Sequence, residues 1–175
     1  MTEKTQRRRG NITEHVKYSE VVRSKTANKY RIKNHPNDKQ LENITRICNR
    51  IFEPVRNHFG KPIQINSLFR SASLNKKIGG VPNSQHLCIN ESSAMDISVK
   101  PGRKLKNNDI GRWIMANRAF DQLIFYPDFY GHSEFIHVSL KKSNNRHQVF
   151  VHKRNKSGRG IYLPYDPKEL DKFKM

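Results

Sequence analysis

Three side chains in this sequence have the types and settings needed to hold a catalytic metal: His86, Asp96 and His137. Asp96 stands in the middle of the apolar run Ala94-Met95-Asp96-Ile97, and His137 stands between Ile136 and Val138. A carboxylate among apolar neighbours is costly if buried without a partner, so Asp96 calls for a cation. Two imidazoles and one carboxylate would supply three protein ligands and leave a fourth position for water. That is the composition of a catalytic zinc site, whereas structural zinc sites are more often closed by cysteines. The same residues also fit a plainer arrangement, an aspartate paired with Lys or Arg beside two core histidines. Spacing alone does not separate the two.

Glu134 adds weight to the metal reading. Metal-assisted amide hydrolysis needs a base that takes a proton from water and delivers it to the leaving amine. Glu134 lies three positions before His137. In a regular strand that offset puts the two side chains on opposite faces. Glu134 is therefore expected in the turn before the strand, built from Gly131-His132-Ser133. By itself it also fits a surface glutamate at a turn. His15, His35, His58, His147 and His152 sit in polar or basic surroundings and are read as surface or structural.

These residues need elements to position them. Leu41, Ile44, Ile47, Ile51, Phe52, Val55 and Phe59 recur at three- and four-residue steps, one face of a helix. Asn37 is its expected N-cap with Gln40 as capping-box partner, and Gly60 its stop. Pro54 is expected to bend or break it near the end. Ile63–Phe69, Ala94–Val99, Gln122–Tyr126, Phe135–Leu140 and Gln148–Lys153 read as strands. Residues 70–93 read as loop, and Asn107 or Asn108 as the cap of a short helix carrying Ile110, Trp113 and Ile114. A helix followed by strands with a helix among them predicts an α+β domain, a small antiparallel sheet with flanking helices.

The chain has 175 residues, enough for one compact domain. Its 34 Lys+Arg against 15 Asp+Glu give a net charge of +19, which attracts polyanions before any specific contact forms. No Asp or Glu occurs from Phe135 through Tyr165. Two cysteines, Cys48 and Cys88, make neither a disulfide framework nor a CxxC metal knuckle. The basic start MTEKTQRRRG has no apolar run behind it and is not read as a secretory signal. The domain plan is a basic tail and arm over 1–26, a catalytic domain over 27–153 and a basic extension over 154–175.

Several ordered motifs resemble the M15 family of zinc peptidases. They are Ser67-Leu68-Phe69-Arg70-Ser71, Leu74-Asn75, Gly79-Gly80, Ser84-Gln85-His86, Ala94-Met95-Asp96-Ile97, Phe120-Asp121-Gln122-Leu123-Ile124 and Phe135-Ile136-His137-Val138-Ser139. The upstream Phe52-Glu53-Pro54-Val55-Arg56 and Gly60-Lys61-Pro62-Ile63 continue it. The branch resembled holds D-alanyl-D-alanine carboxypeptidases and phage L-alanyl-D-glutamate endolysins. The resemblance implies a hedgehog/DD-peptidase-like fold and one catalytic Zn2+ on His86, Asp96 and His137. It also implies Glu134 as the catalytic acid and Arg70 as the group polarising the scissile carbonyl, with Ser84 and Gln85 supporting. The implied substrate is a peptidoglycan stem peptide.

Two departures stand out. The family pattern places the aspartate seven positions after the first histidine, whereas Asp96 follows His86 by ten. The extra residues fall within 87–91 and bring Cys88 and Glu91 forward as rival ligands. Tyr126 stands where relatives often carry an acid. The expected protein is a phage-type lytic enzyme, monomeric outside a virion and made in the host cytoplasm. It would act at the wall after release, or from the virion, with its basic surface on anionic wall polymers. The alternatives are a degenerate module binding nucleic acid or wall through that surface, and a structural component docked by its basic tail.

Overall fold

The computed structural model describes residues 10–100, 104–127, 134–155 and 157–168. In chain order the elements are α1 (Tyr18–Val22), α2 (Lys25–Lys29), α3 (Asp38–Ile47), a π-helical segment (Cys48–Phe52), α4 (Glu53–Phe59), β1 (Gln64–Ser67), α5 (Ala72–Lys77), a 3-10 turn (Gln85–Leu87), β2 (Ser92–Ser98), α6 (Asn107–Asn117), β3 (Gln122–Tyr126), β4 (Phe135–Lys141), β5 (Gln148–Arg154) and β6 (Gly160–Pro164). The α+β class follows: one six-stranded sheet in the order β1-β2-β4-β3-β5-β6, flanked by helices.

The expected long helix is present in three pieces. Asn37 caps α3, accepting from the Gln40 N–H while Gln40 Oε1 accepts from the Asn37 N–H, both at 2.9 Å. Gly60 ends α4 in the left-handed conformation. Pro54 does not break the helix. The turn before it widens, with the Glu53 N–H reaching back to the Cys48 carbonyl, so a bond lost at proline is absorbed by a π turn. Three sequence readings differ from the structure. Residues 72–77 form α5, capped by the Ser71 hydroxyl. The cap of α6 is Lys106 rather than an asparagine, because Asn107 points inward. The sheet is not wholly antiparallel, since β3 and β5 pair in parallel.

That parallel pair has a simple cause. β4 lies on the other side of β3 and returns to the end where β3 began, Gln122 standing opposite Ser139. The short link over 142–147 then starts β5 beside Gln122. No long crossover is needed because β4 has made the return journey.

The register divides the sheet into two chemically distinct faces. One face presents Met95, Val138, Leu123 and Val149 in one row and Ile97, Ile136, Phe125 and Val151 in the next. These rows pack with Ile44, Ile47, Ile51, Phe52, Val55, Ile110 and Ile114 into one core. The other face carries Asp96, His137, Ile124 and Phe150 in register. Alternation along each strand enforces this separation.

The N-terminal region does more than lie on the surface. Val16 and Val21 are 0% exposed within the core. Glu53 anchors this region, accepting from the His15 N–H at 2.9 Å and from the Thr13 hydroxyl. At the other end, β6 continues the sheet beyond residue 153.

Gly111 tests the packing between α6 and the sheet. A Cβ there would meet Phe125 Cε1 at 2.3 Å, and Phe125 is fully buried. Alanine would gain about 1 kcal/mol of helix propensity, against overpacking of about 1–3 kcal/mol with the ring confined. Gly111→Ala is expected to lower stability by up to about 2 kcal/mol in urea unfolding; a stabilised variant would show that the interface gives way.

Candidate metal centre

Asp96 is at the centre of β2, buried, and could not sit there alone. His86 Nε2 stands 3.3 Å and His137 Nδ1 2.8 Å from its Oδ1. Arg70 Nη2 donates to Oδ2 at 3.0 Å. The three groups arrive from three places: the 3-10 turn, β4 directly opposite Asp96, and the segment after β1. The plainer arrangement of a buried aspartate with an arginine is therefore realised together with the histidine cluster, on the carboxylate's two oxygens.

Each partner is itself held. His86 Nδ1–H donates to the Leu68 carbonyl at 2.7 Å, which leaves Nε2 facing Asp96. This second bond fixes tautomer and ring direction, as is usual for metal-binding histidines. The Arg70 Nε donates to the Ser67 hydroxyl at 3.1 Å, and the Arg70 backbone N–H to the His86 carbonyl at 2.9 Å. A register shift between Ile65 and Ser67 ends β1 where it opposes Asp96. Asn34 then clasps the following segment, donating to Phe69 O and accepting from the Ser71 N–H. Burial alone would raise the Asp96 carboxyl, but His86 and His137 outweigh it and hold the group far below the usual carboxylate range. Burial pushes the His137 imidazole down, and the Asp96 carboxylate, 2.8 Å from Nδ1, opposes that shift.

The donor set fits a divalent cation. One ligand atom from each of His86, Asp96 and His137 lies within 4.8 Å of the others. Two donors bound to a tetrahedral zinc at 2.0–2.1 Å stand about 3.3 Å apart, close to the His86–Asp96 separation.

The remaining sequence candidates have defined places. Glu134 directly precedes β4, where its Oε2 accepts from Asn107 Nδ2 at 3.3 Å. Asn107 Oδ1 accepts in turn from the Val99 N–H. The turn expected over Gly131-His132-Ser133 lies outside the described residues. Ser84 contributes its carbonyl, which accepts from Leu87 N–H, while its hydroxyl makes no cap. Gln85 reaches away from the cluster and donates to Asp121 Oδ2 at 3.1 Å. The two rival ligands are committed elsewhere. Burial pushes the Cys88 thiol up to about 12, and its Sγ–H faces the His86 carbonyl. Glu91 is exposed and paired with Lys142 at 2.7 Å.

Two supports were not foreseen from sequence. The longer loop between His86 and Asp96 turns through left-handed backbone at Cys88, Asn90 and Glu91. Its carbonyls are gripped by one side of α3: Gln40 Nε2 on Leu87, Asn43 Nδ2 on Cys88, Arg46 Nη1 on Glu91. The spacing Gln40-Asn43-Arg46 was visible as a polar stripe, but nothing in it named a target. The second support is Asp121, 0% exposed, which accepts from Arg146, Lys141 and Gln85.

A family model for peptidase M15 matches residues 14–139. The chain belongs to the M15 peptidase family. Among curated proteins none matches it. Membership gives the function class, metal-dependent cleavage of peptide-type bonds, and the M15 match spans His86, Asp96, Glu134 and His137. It ends before β5 and β6.

Asp121 gives this M15 chain a measurable acid limb. Burial raises its carboxyl, but the Arg146 and Lys141 bonds prevail and hold it well below the usual range. A depressed folded-state pKa stabilises above the unfolded value of about 3.9, and that stability is lost as pH falls through it. Both cations are partly exposed and can rehydrate. Asp121→Asn should therefore cost about 2 kcal/mol at pH 7 and flatten the loss of stability below pH 4 in denaturant titrations. An unchanged acid limb would show that the carboxylate is not what titrates.

Proposed function

We propose that this chain is a zinc-dependent peptidase that hydrolyses amide bonds in peptidoglycan stem peptides, a phage-type lytic enzyme. One observation carries the reading: His86 Nε2 and His137 Nδ1 converge on one oxygen of a buried carboxylate while Arg70 secures the other. His86, Asp96 and His137 would hold zinc, which when bound supplies Lewis-acid polarisation of the scissile carbonyl and acidifies a water.

The chain's own residues do the rest. Glu134 takes the proton from the attacking water and passes it to the leaving amine. Its bond to Asn107 orients the carboxylate without supplying a counter-charge. Arg70 uses two of its five N–H donors on Ser67 and Asp96. That fixes the guanidinium plane and leaves donors for the oxyanion that develops on the substrate carbonyl. The excess of basic residues suits a substrate embedded in anionic wall polymers. Among the described residues no helix is long and apolar enough to cross a membrane.

The purified protein should carry about one zinc per chain and release new amine termini from cell walls, a reaction stopped by chelator and restored by zinc. Asp96→Ala and His137→Ala should lose the metal. Glu134→Gln should keep it and lose roughly 100- to 10,000-fold in kcat. Metal analysis beside mass spectrometry of digested stem peptides checks both, and full activity in Glu134→Gln would remove Glu134 from the mechanism. The product masses also tell an endopeptidase from a carboxypeptidase.

A further inference from the structure

The face of the sheet that carries the metal cluster does not end there. Phe135 lies two residues before His137 on β4, on the same face and about 7 Å along the strand. It stands opposite Tyr126 of β3, and their rings stack at 4.3 Å between centroids and 11° between planes. Tyr126 stacks in turn on His152 of β5 at 4.7 Å. His152 stands opposite Tyr162 of β6, ring edge to ring face at 5.2 Å. The Tyr126 and Tyr162 hydroxyls meet at 3.2 Å. Four rings thus form one continuous cluster across four strands; the Tyr126 and Tyr162 centroids are 6.4 Å apart and those of Tyr126 and Phe135 4.3 Å, so it spans at most about 11 Å.

The row is a built feature. Gly160 faces His152, where a Cβ would lie 2.5 Å from Nε2, so the ring occupies space that any other residue would fill. Tyr162 is 54% exposed, and the other three rings are part-exposed. His152, read from sequence as surface or structural, is part of a row of packed rings. His152 and Tyr162 both lie beyond the part of the chain matched to the family.

The chemistry of the row selects its ligand. The four members offer apolar ring faces, two phenol hydroxyls and one imidazole; none carries a carboxylate, ammonium or guanidinium. Burial and the nearby Arg154 hold His152 below its ordinary pKa, so its ring is uncharged at neutral pH. A purely apolar group would use the faces alone, whereas a ligand with hydroxyls of its own can also bond the two phenol oxygens, which already pair with each other at 3.2 Å. A pyranose ring has both an apolar C–H face and a hydroxyl edge, and two linked rings match the row's length. We propose that Phe135, Tyr126, His152 and Tyr162 form a saccharide subsite, added by the β5–β6 hairpin, for the sugar that bears the peptide to be cut. This rests on the stem-peptide reading above.

The test uses the full chain and a probe without peptide, the soluble disaccharide of N-acetylglucosamine and N-acetylmuramic acid, followed by protein NMR. The His152 and Tyr162 ring signals should shift saturably, and Tyr162→Ala should weaken binding roughly fivefold, the scale of one aromatic contact. Tyr162→Phe, which keeps the ring face and loses the hydroxyl, should bind more weakly than wild type and more tightly than Tyr162→Ala; binding equal to wild type would overturn the use of the hydroxyl. No shift at millimolar disaccharide, or equal binding by Tyr162→Ala, overturns the proposal. In parallel, kcat/KM is compared for a sugar-linked and a sugar-free stem peptide. The ratio should fall in Tyr162→Ala; an equal fall on both substrates would assign the row to peptide and overturn the saccharide assignment. If wild-type protein cuts neither substrate, the peptidase reading fails on its own, and the disaccharide titration still decides the subsite.

Discussion

A carboxylate buried in the middle of an apolar strand is the constraint from which this structure can be read. Asp96 could be relieved by protonation, by a cation or by hydrogen bonds, and here cationic and hydrogen-bonding partners supply the relief. Each partner imposes a requirement further out. His137 must lie opposite Asp96, which fixes the β2–β4 register. A slip of one residue in either strand would turn its member of the pair to the core face and part it from the other. His86 must be turned by the Leu68 carbonyl, and Arg70 must leave β1 at its register shift. The first β-strand, the 3-10 turn and the central strands are thereby held in one relation, without a continuous hydrophobic contact among these polar groups.

The same economy explains Asp121. It sits where β3 begins, β4 ends and β5 begins, its N–H donating to the Ser139 carbonyl and its carbonyl accepting from the Gln148 N–H. Its oxygens gather Lys141 from the end of β4 and Arg146 from the link before β5. Gln85, next to His86, is attached to the same carboxylate. One buried anion therefore closes the sheet and steadies the turn that carries a candidate metal ligand. A buried ion pair adds little net stability over apolar packing. Its value here is geometric, since an aliphatic residue could not direct three separate donors.

What the sequence made legible were the features in which residue type itself states a need. An aspartate between Met95 and Ile97 signals its demand, and the three- and four-residue recurrence from Leu41 to Phe59 signals a helix. Asn37, Gln40 and Gly60 were readable because caps have local rules. Relations between distant segments were not readable. Helix α5 is too short for periodicity to register. Asn107 reads as a cap because asparagine favours caps, yet the backbone N–H of Val99, eight residues earlier, claims its side chain. The grip of Gln40, Asn43 and Arg46 on the 87–91 loop depends on where that loop lies, which no local pattern states. The parallel pairing of β3 with β5 likewise depends on which side of β3 the fourth strand takes.

The C-terminal hairpin shows why a family boundary is not a structural one. The matched region ends at residue 139, inside β4. A sheet stopping there would leave β3 as an edge, with Leu123 and Phe125 at the margin of the core and unpaired backbone beside them. β5 covers that edge and sets Val151 beside Phe125, and Tyr165 stacks on the Phe125 ring at 5.3 Å. The residues of β5 that face inward thus complete the core, while His152, which faces outward, lines the candidate site's face. Alternation along one strand joins the two roles. A chain that extends its sheet for stability in this way necessarily extends its working face as well, and the side chains placed there are free to specialise.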